Sequence, residues 1–376
     1  MPVEQPFNVY REQLSSLFHG LALWKPNPEG LYDQVAIGDV GYVSEGAFIR
    51  MFNVTLPWDD ESNRTLGIPT HYDFLNLDNV TIRREKFVKL DYYSRHVSRK
   101  ENTNNVRAAS PDQAQGVTYR CRGRGVVLFI PHGGHREYAI QTRVFEKYIR
   151  DHAVSWFNWS KDKGLPVDRT EDLVLVYGCS MVTSWAAAAF DDYAAEAQLS
   201  LATRTLDNGG ASFHWSNYCG TVDYHDSQLE LLDPDGPRPR NNQCVFIKCF
   251  RAKRILFWTR PLRAAADPLP DDPDNSQEDE MQVTQVPDVS KYHDPLIGVL
   301  DYIVEKRLED DVGTDEDDMA ITYHDDLRLI QGVEVLTADA VEKYLSENDM
   351  PLLVTNGVTK LWDPWQVDED EESDTR

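Results

Sequence analysis

Two short motifs in the middle of the chain could together hydrolyse an ester. The letters HGG occupy positions 132–134 after one apolar run, and the letters GCS occupy positions 178–180 after another. In α/β-hydrolases an HGG loop at a strand end offers backbone N–H groups to an oxyanion, and a tight G-x-S-x-G turn between strand and helix displays the nucleophilic serine. The sequence therefore predicts a candidate esterase site with Ser180 as nucleophile and Gly133 and Gly134 in the oxyanion loop.

A serine nucleophile also needs a histidine base and an acid that orients it. His225 with Asp226, or with Asp223, supplies these residue types. Val182 argues against the site, because the strained turn brings two backbones close together and needs a small residue at that position. The alternative interpretation is that the two glycines form an ordinary turn.

Cys179 allows a second chemistry, in which its thiol is the nucleophile and His132 or His135 the base. A cysteine inside an apolar run is more often an inert core residue. The sequence leaves open whether His132, Cys179 and Ser180 form a site or are structural. The remaining histidines and cysteines show no paired zinc spacing, so no metal site and no cofactor is predicted.

A basic segment without acidic residues runs from position 238 to position 263. Its candidate binding residues are Arg238, Arg240, Lys248, Arg251, Lys253 and Arg254. Such a segment could bind nucleic acid or an anionic lipid. An acidic stretch follows at 267–280, so we expect the acids to fold back on the basic segment, or the basic residues to form a solvated sheet face.

The net charge of −25 comes entirely from the last part of the chain. Residues 1–263 hold equal numbers of acidic and basic side chains, whereas 264–376 hold 32 acidic and 7 basic ones. So abrupt a change indicates a boundary between modules. A neutral body with an acidic C-terminal region makes nucleic acid an unlikely partner, because phosphate backbones select basic surfaces.

The apolar patterns predict an α+β fold with four parts. Residues 1–263 form a mainly antiparallel, β-rich body that is covered by an amphipathic helix over 142–160. Residues 264–290 are an acidic, disordered linker, and 364–376 are an acidic tail. Residues 291–363 form a small helix–strand–helix module. The single clear strand of this module, 319–323, must find a pairing partner, so we expect it to dock on the sheet of the body.

The composition also indicates the cellular compartment in which the protein is expected. No apolar run approaches the ~18 residues that span a bilayer, and the first residues lack the basic start and apolar core of a signal peptide. The five cysteines are irregularly spaced, which favours reduced thiols. We therefore expect a cytoplasmic or nuclear protein that is not secreted.

Several longer phrases resemble one family. They are LALWKPNP and IGDVGYVSEGAFIRMFNVTLPW near the start, LVLVYGCSMVTSWAAAAF in the middle, and NQCVFIKCFRAKR and DMAITYHDDLRLI further on. The chain resembles a family of uncharacterised intracellular proteins of mushroom-forming (basidiomycete) fungi to which no activity is assigned. The resemblance implies an intracellular fungal protein of the same architecture.

The leading functional hypothesis is a non-enzymatic intracellular interaction protein. Its acidic C-terminal region would contact a basic protein partner or the basic segment of the same chain. The alternative hypothesis is an α/β-hydrolase-like esterase that uses Ser180 and the HGG loop.

Overall fold

The computed structural model describes ten stretches of the chain: residues 5–27, 34–70, 72–101, 115–190, 196–206, 210–220, 222–227, 241–255, 294–309 and 318–363. The predicted linker at 264–290 and the predicted tail at 364–376 lie outside these residues, as do Arg238 and Arg240.

Strands dominate the fold, and helices cover them. The helices are α1 (Pro6–Ser15), α2 (Glu61–Arg64), α3 (Arg143–Asp162), α4 (Pro295–Glu309) and α5 (Ala338–Glu347). The strands are β1 (Leu21–Ala22), β2 (Asp39–Ser44), β3 (Ala47–Asn53), β4 (Ile82–Phe87), β5 (Leu90–Tyr93), β6 (Val97–Glu101), β7 (Gln115–Cys121), β8 (Gly125–Ile130), β9 (Gly134–Ala139), β10 (Leu173–Val182), β11 (Ala186–Phe190), β12 (Ala197–Thr205), β13 (Ala211–Cys219), β14 (Val222–Asp226), β15 (Gln243–Arg254), β16 (Met319–Tyr323), β17 (Leu352–Thr355) and β18 (Val358–Leu361). Two 3₁₀ turns, Thr170–Asp172 and His324–Leu329, join them.

The largest sheet has ten strands, which we call the main sheet. Its central order is β17-β18-β16-β15-β10-β2-β3. The second half of β10 pairs with β9, β9 pairs with β4, and β1 pairs with β15. The pairings are antiparallel, apart from the parallel contact between β16 and β18. The predicted α+β class with mainly antiparallel strands is confirmed.

The central strand β10 is buried along its whole length, which explains its continuous apolar sequence. On one face of the main sheet, Leu173, Leu175 and Tyr177 pack with α3, whose apolar stripe includes Phe145 and Trp156. The predicted covering helix is therefore confirmed, with bounds within two residues of the prediction. The opposite face packs on α4 and α5.

Two four-stranded sheets stack beside the main sheet. Their orders are β14-β11-β8-β5 and β13-β12-β7-β6. A shared apolar cluster that includes Phe129, Phe190 and Tyr119 holds one sheet on the other. The alanine-rich strand β11 lies in the middle of this stack, because small side chains let the layers approach. Helix α1 packs on the other side of this pair of sheets, with Tyr10 and Leu14 buried.

The C-terminal segment adds its strands to the main sheet. Strand β16 pairs with β15 over five residues, from Tyr323 opposite Phe250 to Met319 opposite Arg254. This confirms that strand 319–323 pairs with the sheet of the body. Leu296, Leu300 and Ile303 of α4 are fully buried and share an apolar cluster with Ala320 of β16.

Candidate functional site

Ser180 does not lie at a strand–helix turn. It sits inside β10, between β9 on one side and β15 on the other, with Arg136 and Phe246 as its cross-strand neighbours. After Val182 the chain enters a short turn and then another strand, β11. The predicted nucleophile elbow is therefore wrong: the apolar run 173–182 continues as a central strand through Ser180.

The HGG glycines are explained by close backbone approach. Gly133 has φ +69°, and a Cβ there would lie 2.1 Å from the carbonyl oxygen of Phe87. A Cβ on Gly134 would lie 2.2 Å from the carbonyl oxygen of Met181. The tight turn between β8 and β9 thus needs glycine at both positions. This is the ordinary-turn alternative, and Gly134 is itself a ladder residue of β9 opposite Val182.

The predicted triad partners lie in a different sheet. His225 is in β14, opposite Ala187 of β11, with its ring against the rings of Trp24 and Trp185. Burial lowers the pKa of His225. The carboxylate of Asp226 accepts a hydrogen bond from Trp215 Nε1 at 3.1 Å. Ser180 lines a small cavity, described below, and neither His225 nor Asp226 is among the residues that line it. The structure therefore does not bring the predicted triad together.

The basic segment is neutralised by acids of the C-terminal segment. Arg251 is 3% exposed and binds Asp294 at 2.6 Å, while Lys248 binds Asp325 at 2.8 Å. Lys253 lies 2.5 Å from Asp301.

The predicted basic surface is therefore wrong for the residues described. Arg251 is an interior ion pair, and Lys248, Lys253 and Arg254 are half-buried. Among the described residues, Asp294, Asp301 and Asp325 meet the basic segment. The stretch 267–280, which was expected to fold back on it, lies outside the described residues.

Ser180 belongs to a small cavity on the main sheet, which we call the inner cavity. Its volume is about 100 Å³, and it is lined by Phe18, His19, Glu85, Arg136, Glu137, Tyr138, Cys179, Ser180, Lys248 and Arg328. Directly opposed residues of an antiparallel sheet point to the same face. One such row crosses the main sheet through Glu85, Arg136, Ser180 and Phe246.

A second row, two residues along each strand, runs through Tyr138, Gly178 and Lys248. A Cβ on Gly178 would lie 2.6 Å from the Cβ of Tyr138. The missing side chain leaves space in which Lys248 Nζ lies 4.9 Å from the centre of the Tyr138 ring. This explains the glycine of the GCS motif by packing.

Two distant parts of the chain add residues to the lining of this cavity. His19 follows α1 and places its ring edge-on to Phe246 at 5.6 Å. Arg328 comes from the 3₁₀ turn after β16 and contacts Asp325 at 3.2 Å. Burial opposes ionisation of Asp325, but Lys248 and Arg328 outweigh it and hold its pKa below its usual range.

The lining of the inner cavity holds three cations, Arg136, Lys248 and Arg328, and two carboxylates, Glu85 and Glu137. Burial, together with Arg136 and Lys248, lowers the pKa of His19 to about 4, so His19 is neutral at pH 7. Burial also lowers the pKa of Arg136, although Glu85 opposes this. The thiol of Cys179 has a pKa raised well above its usual value by burial, so it stays protonated and is a poor nucleophile.

The two carboxylates of the inner cavity are already paired with arginines of β4. Arg83 binds Glu85 at 2.6 Å, and Arg84 binds Glu137 at 3.2 Å. Arg136 has neither an ion pair nor a hydrogen bond to any described residue, and its Nε is buried without a partner. Its guanidinium contacts only the ring of Phe87, at 4.9 Å.

A larger groove adjoins the inner cavity and shares Glu85 with it. This outer groove has a volume of about 530 Å³ and is lined by Arg84, Glu85, Lys86, Phe87, His132, Gly133, Gly134, His135, Thr183 and Asn241. The exposed His132 donates from Nε2 to the carbonyl of Gly210 at 3.1 Å. Strand β4 forms one side of the groove, and among the described strands it pairs only with β9.

Sequence reasoning found some of these residues and missed others. Cys179, Ser180 and Lys248 were predicted and do line the inner cavity. His19, Arg136 and Arg328 were missed, because they are far apart in the chain and carry no motif. The sequence of β9, GHREYA, has no alternation of charged and apolar residues that would have singled out Arg136.

The chain matches no model of a known protein family and no curated protein sequence. Across the ten described stretches, no three histidine, cysteine, aspartate or glutamate side chains cluster in a way that could hold a metal ion. None of the described helices is long and apolar enough to cross a membrane.

Proposed function

We propose that this chain is a non-enzymatic interaction protein that binds an acidic segment of a partner protein in the outer groove. The observation that carries the proposal is the charge of the two adjoining cavities. They are lined by five cations (Arg84, Lys86, Arg136, Lys248 and Arg328) and two carboxylates (Glu85 and Glu137), in a chain whose net charge is −25. Cations that line a cleft attract anionic ligands to it. The net negative charge of the rest of the protein repels anions from other parts of its surface.

Strand β4 supplies a mode of binding for a peptide. Its outer edge has no strand partner within the described residues, and its charged side chains keep it from pairing with other copies of itself. An extended peptide could pair with this edge through backbone hydrogen bonds, while acidic side chains reach Arg84 and Lys86. Both of these side chains are exposed.

Reversing the two groove cations should weaken binding of an acidic peptide. A fluorescein-labelled peptide of alternating glutamate and valine is the probe, and fluorescence anisotropy at low salt is the measurement. Each exposed charge contributes up to ~1 kcal/mol, and reversal also adds repulsion, so Arg84→Glu with Lys86→Glu should raise Kd about tenfold or more.

The matched control for this experiment is Lys343→Glu on α5, which is exposed and remote from the groove. It makes the same type of charge change and should leave Kd within about twofold. Binding of a peptide in which lysine replaces glutamate should not weaken when Arg84 and Lys86 are reversed, because any contact that it makes is with acidic parts of the chain. Equal weakening of the glutamate peptide by both sets of variants, or equal weakening of both peptides by Arg84→Glu with Lys86→Glu, would contradict the proposed groove.

The alternative function, ester hydrolysis by Ser180, is tested separately. Because Ser180 lies within a strand and is 3% exposed, Ser180→Ala should leave any turnover of small activated esters unchanged. The measurement is release of 4-nitrophenol from its acetate by the purified chain. A loss of turnover in a variant that retains the wild-type melting temperature would restore the esterase hypothesis.

The resemblance to proteins of mushroom-forming fungi bears on the compartment. If the chain belongs to that family, it is not secreted and binds its partner in the cytoplasm or the nucleus. The five free cysteines, four of them buried, fit a reducing compartment. The acidic stretches at 267–280 and 364–376 would then be free to contact a basic partner, as a second interaction of the same protein.

A further inference from the structure

Arg136 adds to the positive charge on which the proposed function relies, but that proposal assigns it no contact with the peptide. It lies on β9, in register between Glu85 of the edge strand β4 and Ser180 of β10. Glu85 is bound by Arg83, and no described carboxylate or carbonyl accepts from the guanidinium of Arg136. A half-buried arginine normally satisfies its five donors with a carboxylate, a phosphate or backbone carbonyls. The unused donors of Arg136 therefore favour an external acceptor.

The neighbouring groups fit the same kind of acceptor. Lys248 supplies a second cation from β15, and Arg328 supplies a third from the 3₁₀ turn. Ser180 adds a hydroxyl from the strand between Arg136 and Lys248. Nearby His19 is neutral at pH 7, so it adds no fourth positive charge to the cavity.

The volume of the cavity limits the size of the ligand. About 100 Å³ is the space of roughly three water molecules at ~30 Å³ each. A carboxylate or a phosphate group fits this space. Arginine binds both groups in the same bidentate manner.

We infer that the inner cavity is a binding site for a single oxyanion headgroup, either a phosphate monoester or a carboxylate, with Arg136 as its principal donor and Lys248, Arg328 and Ser180 around it. The site does not depend on a peptide in the outer groove, because Arg84 and Lys86 do not line it. An experiment can therefore disprove binding of an anion in the inner cavity without disproving binding of a peptide in the outer groove, and the reverse.

The test is isothermal titration of the full chain with inorganic phosphate and, in a second arm, with acetate. Both titrations use constant ionic strength set with chloride. We expect saturable binding by the wild-type chain and about tenfold weaker binding by Arg136→Gln, which loses both the charge and the planar pair of donors. Arg136→Lys keeps the charge but loses the bidentate geometry, so its Kd should lie between those two values.

Lys343→Gln, which removes an exposed cation far from the cavity, should leave Kd within about twofold of the wild-type value. Tighter binding of phosphate assigns the site to a phosphate monoester, and tighter binding of acetate assigns it to a carboxylate.

Two results would overturn the inference. One is the absence of saturable binding of both anions by the wild-type chain. The other is equal weakening by Lys343→Gln and by the Arg136 variants that retain a cooperative thermal transition. If Arg136→Gln does not fold, the Kd of Arg136→Lys is compared with that of Lys343→Gln instead, because Arg136→Lys keeps a positive charge at this position of the sheet.

Discussion

Replacing Arg251 with methionine should destabilise the folded chain by about 3–5 kcal/mol, the loss expected when one partner of a buried ion pair is removed. Arg251 Nη2 binds Asp294 Oδ2 at 2.6 Å, and both side chains are almost completely buried. The variant leaves the carboxylate of Asp294 with one backbone donor, the N–H of Leu296. The measurement is the free energy of unfolding in urea at pH 7.

The pH dependence gives an independent check of the cause. Burial, the largest single influence, would raise the pKa of Asp294, but Arg251 together with smaller contributions from His324, Arg11 and the N–H of Leu296 holds it below the usual value in the wild-type chain. Without Arg251 the folded pKa rises above the unfolded value of ~3.9, so the folded variant takes up a proton more readily than the unfolded one. Stability of Arg251→Met relative to wild type should therefore recover as the pH falls from 7 toward 5.

The double variant Arg251→Met with Asp294→Leu is the control, since it removes both charges of the pair. It should be more stable than Arg251→Met alone, because an apolar pair can replace a buried ion pair at little cost. Equal stability of the single and double variants, or a loss that does not depend on pH, would show that the ion pair does not hold the C-terminal segment on the main sheet.

The second large expected effect is loss of folding when the C-terminal segment is separated from the body. Residues 291–363 expressed without the rest of the chain should not fold cooperatively. Strand β16 would lose all five of its partners in β15, and its apolar face, which includes Met319 and Ile321, would lose the cluster around α3. A segment of this size with many acids has little other core. The measurement is amide dispersion in a proton–nitrogen NMR spectrum, where we expect a narrow range of shifts.

The comparison sample is the full chain, in which the same amides should be dispersed and protected from exchange. A dispersed, monomeric spectrum of the fragment would show that the segment folds by itself. The pairing of β16 with β15 would then be contact between two independent domains.

Periodicity and burial made several elements predictable from the sequence. The continuous apolar run of β10 and the helical stripe of α3 are local patterns, and the structure confirms both. The docking of 319–323 could also be predicted, because an isolated strand cannot satisfy its own backbone groups. Each of these features depends on the residues of one element and on the need of backbone N–H and C=O groups for hydrogen-bond partners.

The position of Ser180 shows where local patterns fail. The letters GCS after an apolar run fit a catalytic turn and a buried strand equally well, and the choice depends on pairing with β9 and β15. The inner cavity combines His19, Arg136 and Arg328, which come together only through the order of the strands. The pairing of Asp294 and Asp325 with the basic segment could not be predicted for the same reason, since the fold brings both residues to β15 from distant parts of the chain.

The most direct test of the proposed function is amide hydrogen exchange of the full chain, with and without a saturating amount of the glutamate–valine peptide. Binding of the peptide along β4 would give the outer backbone groups of Ile82–Phe87 new hydrogen bonds. We therefore expect exchange to slow in that strand and to stay unchanged in the distant strand β13 (Ala211–Cys219). Slowing that is absent from β4 while the peptide is bound, or that falls mainly in β13, would contradict the outer groove as the binding site.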